Sequence, residues 1–141
     1  MKSQAWVGVT LLKIACLYLM AGLLIGLVLA VRQDFTLVSV HAHIGLLGWA
    51  SLAIAGLVYV VLPRCAGTRL AVVHFWLHNV GLPVMMVPLT VAVLRGDAGV
   101  EPTIAAGSVM VLAGLLAFTV NVMKNARAAE VRERVQSLVG S

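Results

Sequence analysis

The four histidines, His41, His43, His74 and His78, carry most of the potential for chemistry in this sequence. All of them lie in long apolar runs or at their mouths, where an ionisable side chain is expensive and usually faces a partner, a cofactor or water. Imidazole nitrogen ligates iron, copper and zinc. At roughly 100° per residue, His41 and His43 point to nearly opposite sides of one helix, so that helix can serve two sites. His74 and His78 are four residues apart and share a face, a workable bidentate metal spacing. Further along the same run, Met85 and Met86 offer thioethers, which with imidazole suit copper(I) or a His/Met haem.

Each of these residues also has a purely structural reading. His74, beside Phe75 and Trp76, fits an interfacial aromatic belt and a hydrogen bond to a headgroup or loop carbonyl. His78 and Asn79 fit a polar contact between helices, and the methionines fit adaptable packing. His41 and His43 resist this treatment, because opposite faces of one helix require two separate structural partners. Cys16 and Cys65 are the only cysteines. They imply no disulfide framework, and Cys16 reads as a small buried hydrophobe. No Cys-x-x-Cys-His run is present for covalent haem, nor a glycine-rich phosphate loop.

The elements that must position these residues follow from composition. The chain has 141 residues, 62% hydrophobic and 11% charged, with a mean hydropathy of +1.06. That is too apolar for a soluble domain and reads as an integral membrane protein, all-α. A crossing of ~30 Å takes about 20 apolar residues. Segments Leu12 to Val31, Thr36 to Leu62, Leu70 to Leu94 and Thr103 to Met123 meet this, giving a four-helix transmembrane bundle over residues 1–123. Pro83 and Pro88 free the carbonyls of Asn79 and Val84 and predict a kink in the third helix. His41 and His43 fall ~6 to 9 Å below one boundary, near the level of Met85 and Met86 and roughly 10 Å from the His74/His78 pair. One metal ion joining both histidine pairs within a protomer is therefore disfavoured.

Lys2, Lys13, Arg64, Arg69, Lys124, Arg127, Arg132 and Arg134 fall on one side, with only Arg32 and Arg95 on the other. The positive-inside rule makes the rich side cytoplasmic, with both termini there. The formal charge of +5 is thus a topology signal and not a nucleic-acid footprint. Residues 124–141 form a basic tail in which Val131, Val135, Leu138 and Val139 make one side of an amphipathic surface helix. Val28-Leu29-Ala30 is a passable signal-peptidase site, but the preceding apolar stretch is longer than a signal core. Gly22-Leu23-Leu24-Ile25-Gly26 within it lets helices approach closely.

The run His41-Ala42-His43-Ile44-Gly45-Leu46-Leu47-Gly48-Trp49, continuing through Gly56, Tyr59 and Pro63, resembles the tenth helix of the catalytic subunit of haem-copper oxidases. The likeness is to the cytochrome-c-oxidising branch rich in haem b and to related nitric-oxide reductases. His74-Phe75-Trp76 with Gly81 resembles the start of the following helix, and together the matches span about half the chain. The His-x-His-x-Gly-x-x-Gly-Trp run is fairly specific; His-Phe-Trp alone is weak. By position, the resemblance makes His41 the counterpart of the high-spin haem ligand and His43 of a low-spin haem ligand. It makes Arg95 the available partner for a haem propionate, which a guanidinium fork suits, and Trp49 a neighbouring wall.

The resemblance does not extend to the helices that bring the copper-ligating histidines, nor to the helix supplying the other low-spin ligand. It therefore does not imply oxygen or nitric oxide reduction by this chain alone. The family's subunit is built of three similar four-helix arcs, and this chain resembles the last. Three copies would rebuild a ring, with His43 of one subunit and His41 of the next converging on noncovalent haem b. The expectation is a homotrimeric b-type cytochrome of the bacterial inner membrane, transferring electrons or sensing a diatomic gas beside a respiratory partner. Two alternatives stand: a copper-binding assembly protein using His41, His43, Met85 and Met86, and a structural subunit of a respiratory complex.

Overall fold

A computed structural model describes residues 5–96 and 98–140. Helix α1 spans Ala5–Arg32 and is followed by a turn. The second span begins as α2, Val38–His43, passes through a π-helical segment at Ile44–Ala50, and continues as α3, Ser51–Val61. A short helix α4, Pro63–Ala66, leads to α5, Arg69–Arg95. A 3-10 turn at Ala98–Val100 precedes α6, Glu101–Asn125, and α7, Ala128–Val139. Four helical stretches, Trp6–Arg32, Val38–Val61, Arg69–Arg95 and Glu101–Asn125, are long and apolar enough to cross a membrane.

These spans match the four expected from hydropathy, with two differences. Helix α1 starts at Ala5 and not near Leu12, which places Lys13 two turns inside the helix, on an exposed surface. A lysine stem can lie along apolar surface while its ammonium reaches for a polar boundary, so the charge does not stop the helix. The second span is not a uniform α-helix, because seven residues directly after His43 are π-helical. Helix α5 stays continuous through Pro83 and Pro88.

Helix ends follow their local chemistry. Thr68 caps α5 by accepting the Ala71 N–H at 3.1 Å, as an N-cap hydroxyl does. Gly96 ends that helix in the left-handed region, φ 66°, a conformation with no Cβ penalty for glycine. After α1, Asp34 accepts from the hydroxyl and the backbone N–H of Thr36. These bonds hold its carboxyl below the usual range.

Two helix pairs dominate the packing: α5 against α6, and α1 against the π segment and α3. Both pairs close on glycine. A Cβ on Gly8 would meet the Gly56 carbonyl at 2.9 Å, and one on Gly56 would meet the Gly8 carbonyl at the same distance. On α6 the buried positions Gly107, Val111, Gly114, Ala117 and Asn121 advance in steps of four and three, the seam of a left-handed helix pair. Small residues there let backbones approach, which is how helices associate in lipid without a hydrophobic driving force between them.

The core has two layers. One, toward the α7 end, joins Leu11, Leu52, Tyr59, Cys65 and Phe75; the other joins Val40, Leu82, Met85, Met86 and Val111. Between them lie His74 and His78. Helix α7 returns against the α4 connection, where Glu130 accepts the Arg64 backbone N–H at 3.1 Å. Val131, Val135 and Val139 are exposed along it. Lys2 and the side chains of Arg134 and Leu138, used above for orientation and for the tail's apolar side, lie outside the described residues.

Gly107 faces the backbone of Met85 and Gly81, whereas an added Cβ on Gly45 meets nothing within 4 Å. Gly107→Ala should therefore lower the unfolding midpoint in detergent by an overpacking cost of ~1–3 kcal/mol. Gly45→Ala should leave it unchanged or raise it slightly. Equal shifts for the two variants would contradict this packing.

Candidate functional site

Helix α2 carries His41 and His43 one turn from its start, and the backbone sends them to different neighbours. His41 turns toward α1, where its Nδ1–H donates to the Gly22 carbonyl at 3.0 Å. Its ring lies over Gly26, on which a Cβ would come within 2.9 Å of His41 Cε1. The Gly22-to-Gly26 pattern is thus a socket for an imidazole as well as a place of close helix approach. His43 is exposed on the other side, and its Nδ1–H donates to the Ser39 carbonyl at 2.8 Å, one turn back.

A carbonyl can only accept, so both rings carry their proton on Nδ1 in the neutral form and keep a bare lone pair on Nε2. Metal-ligating histidines are commonly oriented in this way, with the far nitrogen donating to a carbonyl. His41 and His43 therefore have the tautomer and the support that iron or copper ligation needs.

His43 lines an open pocket of about 250 Å³ with Leu47, Met85, Ser108, Val111 and Leu115. That is below the ~300–1,000 Å³ of typical ligand clefts, so this pocket by itself does not enclose a macrocycle. Met85 reaches this pocket, while Met86 packs in the layer formed with Val40, Leu82 and Val111. Trp49 lies on the exposed surface of the π segment, 43% accessible, and is not among the residues that line the His43 pocket. Arg95 is exposed in the last turn of α5.

The second pair behaves differently. His74 and His78 are both 0% exposed, with rings 5.5 Å apart, edge to face. Reading His74 as an interfacial residue beside a headgroup is thereby corrected: it is sealed by Tyr59 and Phe118. Its Nδ1 lies 3.2 Å from the Tyr59 hydroxyl. His78 Nε2–H donates to the Leu47 carbonyl in the π segment at 3.0 Å. The two pairs do not converge on one centre. Among the described residues no group of three or more His, Cys, Asp or Glu side chains is placed to hold a metal ion.

Tyr59 and Asn121 are the polar residues that histidine-centred reasoning undervalued. Asn121 donates to the Cys65 carbonyl at 2.8 Å and is fully buried. Its signal was present in the sequence, seven residues after Gly114 and fourteen after Gly107 on one face of an otherwise apolar helix. Comparison with family models, curated proteins and solved structures gave no match to this chain.

The His41 socket makes a coupled prediction. Gly26→Val should destabilise the fold by roughly 1–3 kcal/mol through collision with the ring. In a His41→Ala background most of that cost should vanish, a non-additivity that contacting residues give. Additive effects on the detergent unfolding midpoint would place the ring elsewhere.

Proposed function

We propose that this chain is a membrane-bound b-type haem protein, related to the catalytic subunit of haem-copper oxidases, that assembles as a homotrimer and transfers electrons. The observation that carries the reading is the pair of bare Nε2 lone pairs on opposite sides of α2. Each is fixed by an Nδ1–H bond to a backbone carbonyl. His43 adds to it. An exposed imidazole inside a membrane-crossing helix is costly against lipid and is relieved by a neighbouring subunit or a bound group.

His41 of one subunit and His43 of the next would hold haem between them, with Arg95 at the same end of the bundle to meet a propionate. Noncovalent haem b supplies a one-electron iron couple, and bis-histidine ligation favours electron transfer over binding of a diatomic gas, which needs an open iron position. The small pocket at His43 agrees with a site completed between protomers. Closed rings are the usual outcome when different surfaces of identical subunits meet. Lys13, Arg64, Arg69, Lys124, Arg127 and Arg132 against Arg32 and Arg95 support cytoplasmic termini in a bacterial inner membrane.

A second reading rests on the shared pocket of His43 and Met85. One imidazole and one thioether suit copper(I), and the protein would then carry or deliver copper without turnover of its own.

The visible spectrum of purified protein separates the two. The haem reading expects a Soret band that shifts on dithionite reduction and is lost or strongly altered in His43→Ala. A colourless preparation with stoichiometric copper would favour the second reading, and an unchanged Soret band in His43→Ala would overturn the ligand assignment.

A further inference from the structure

Between the two core layers, α3, α5 and α6 enclose a string of polar side chains. Asn121, His74 and His78 are 0% exposed and Tyr59 is 1% exposed. Two nitrogens in this string, His74 Nε2 and His78 Nδ1, are buried without a hydrogen-bond partner. In an apolar interior each such orphan costs about 1–3 kcal/mol, and no side chain of a membrane-crossing helix can turn to bulk water instead.

The proton positions on the two imidazoles follow from their partners, because a carbonyl can only accept and a phenol is the better donor to an imidazole. The Asn125 amide donates to Asn121 Oδ1 at 2.9 Å, and Asn121 Nδ2 donates to the Cys65 carbonyl at 2.8 Å. Asn121 is thereby held at one end of the string by Asn125 and by the Cys65 carbonyl. Of the phenol and the imidazole, the imidazole is the better acceptor, so Tyr59 gives its proton to His74 Nδ1, 3.2 Å away. That leaves the neutral His74 ring protonated at Nε2, an orphan donor. At the other end, His78 Nε2–H is committed to the Leu47 carbonyl, which leaves Nδ1 an orphan acceptor.

We propose that His74 Nε2 and His78 Nδ1 form a binding site for a single water molecule, which accepts from the first and donates to the second. The rings are 5.5 Å apart and edge to face. A water's two hydrogen bonds of ~2.8 Å bridge nitrogens about 4.6 Å apart, which neighbouring rings can supply. The site selects a small neutral molecule with both donor and acceptor capacity. A metal ion would need a lone pair on each nitrogen, and His74 Nε2 carries a proton.

Filled by water, the chain runs unbroken from Tyr59 to the Leu47 carbonyl. It is not a proton wire, because the Leu47 carbonyl does not hand protons on. Its role is positional. It ties α3 and α5 to a carbonyl of the π segment one turn beyond His43, and so fixes the rotation of the span whose preceding helix, α2, bears His41 and His43.

The test is solid-state nitrogen NMR of the full chain, histidine-labelled, in lipid bilayers. The expected result is a split by pair: His74 and His78 protonated at Nε2, His41 and His43 at Nδ1, with magnetisation from a bound water reaching the His74 Nε2–H. Tyr59→Phe removes the hydroxyl that fixes His74, so its resonances should shift toward the other tautomer while His78 keeps its own. Added Zn²⁺ should leave both unmoved. A bare Nε2 on His74 in the wild-type protein, no water transfer to it, a Zn²⁺-induced shift at the pair, or an unchanged His74 in Tyr59→Phe would each overturn the proposal.

Discussion

A polar atom on a membrane-crossing helix has no bulk water to fall back on, and the arrangement of this chain follows from that constraint. The backbone satisfies itself by helix formation, and the few buried polar side chains must find partners among those same helices. His41 donates to the Gly22 carbonyl, His78 to the Leu47 carbonyl and Asn121 to the Cys65 carbonyl. Each of these bonds joins residues far apart in sequence, so each fixes how two elements sit together. The glycines make such contacts geometrically possible. Gly26 leaves room for the His41 ring, and Gly81, Gly107 and Gly114 bring α6 against the stretch of α5 that holds His74 and His78.

The same bonds sort the histidines by what they can do. His41 and His43 use Nδ1 for support and keep Nε2 unprotonated, a tautomer that metal-ligating histidines share. His74 and His78 are turned inward among Tyr59, Phe118 and the π segment. One imidazole pair is therefore held by backbone carbonyls of α1 and α2, while the other is enclosed in the core between α3, α5 and α6. The π segment links the two pairs. A wider helical turn next to a functional residue is a recurrent device, and here it begins at the residue after His43 and contains the carbonyl that His78 grips.

Hydropathy made the four spans legible, and the spacing of His41 and His43 made their opposed directions legible, because helix geometry alone determines both. Other features depend on information that periodicity does not carry. The π segment leaves no compositional mark in Ile44-Gly45-Leu46-Leu47-Gly48-Trp49-Ala50. His74 read as interfacial because Phe75 and Trp76 flank it, yet a span extending from Arg69 to Arg95 and the approach of α3 and α6 bury it. The small-residue pattern at Gly22 and Gly26 was readable as a site of close approach. That the approaching group is an imidazole required the tertiary arrangement.

The central claim is that His41 and His43 are halves of a site completed across subunits. Its most direct test is to co-express His41→Ala and His43→Ala chains carrying different tags, isolate assemblies containing both, and measure haem per assembly. In a closed three-subunit ring, any mixture has one junction with an intact His43 facing an intact His41, so mixed assemblies should recover about one third of the wild-type haem while each variant alone binds none. Mixed assemblies devoid of haem, or full haem in either variant alone, would contradict the account.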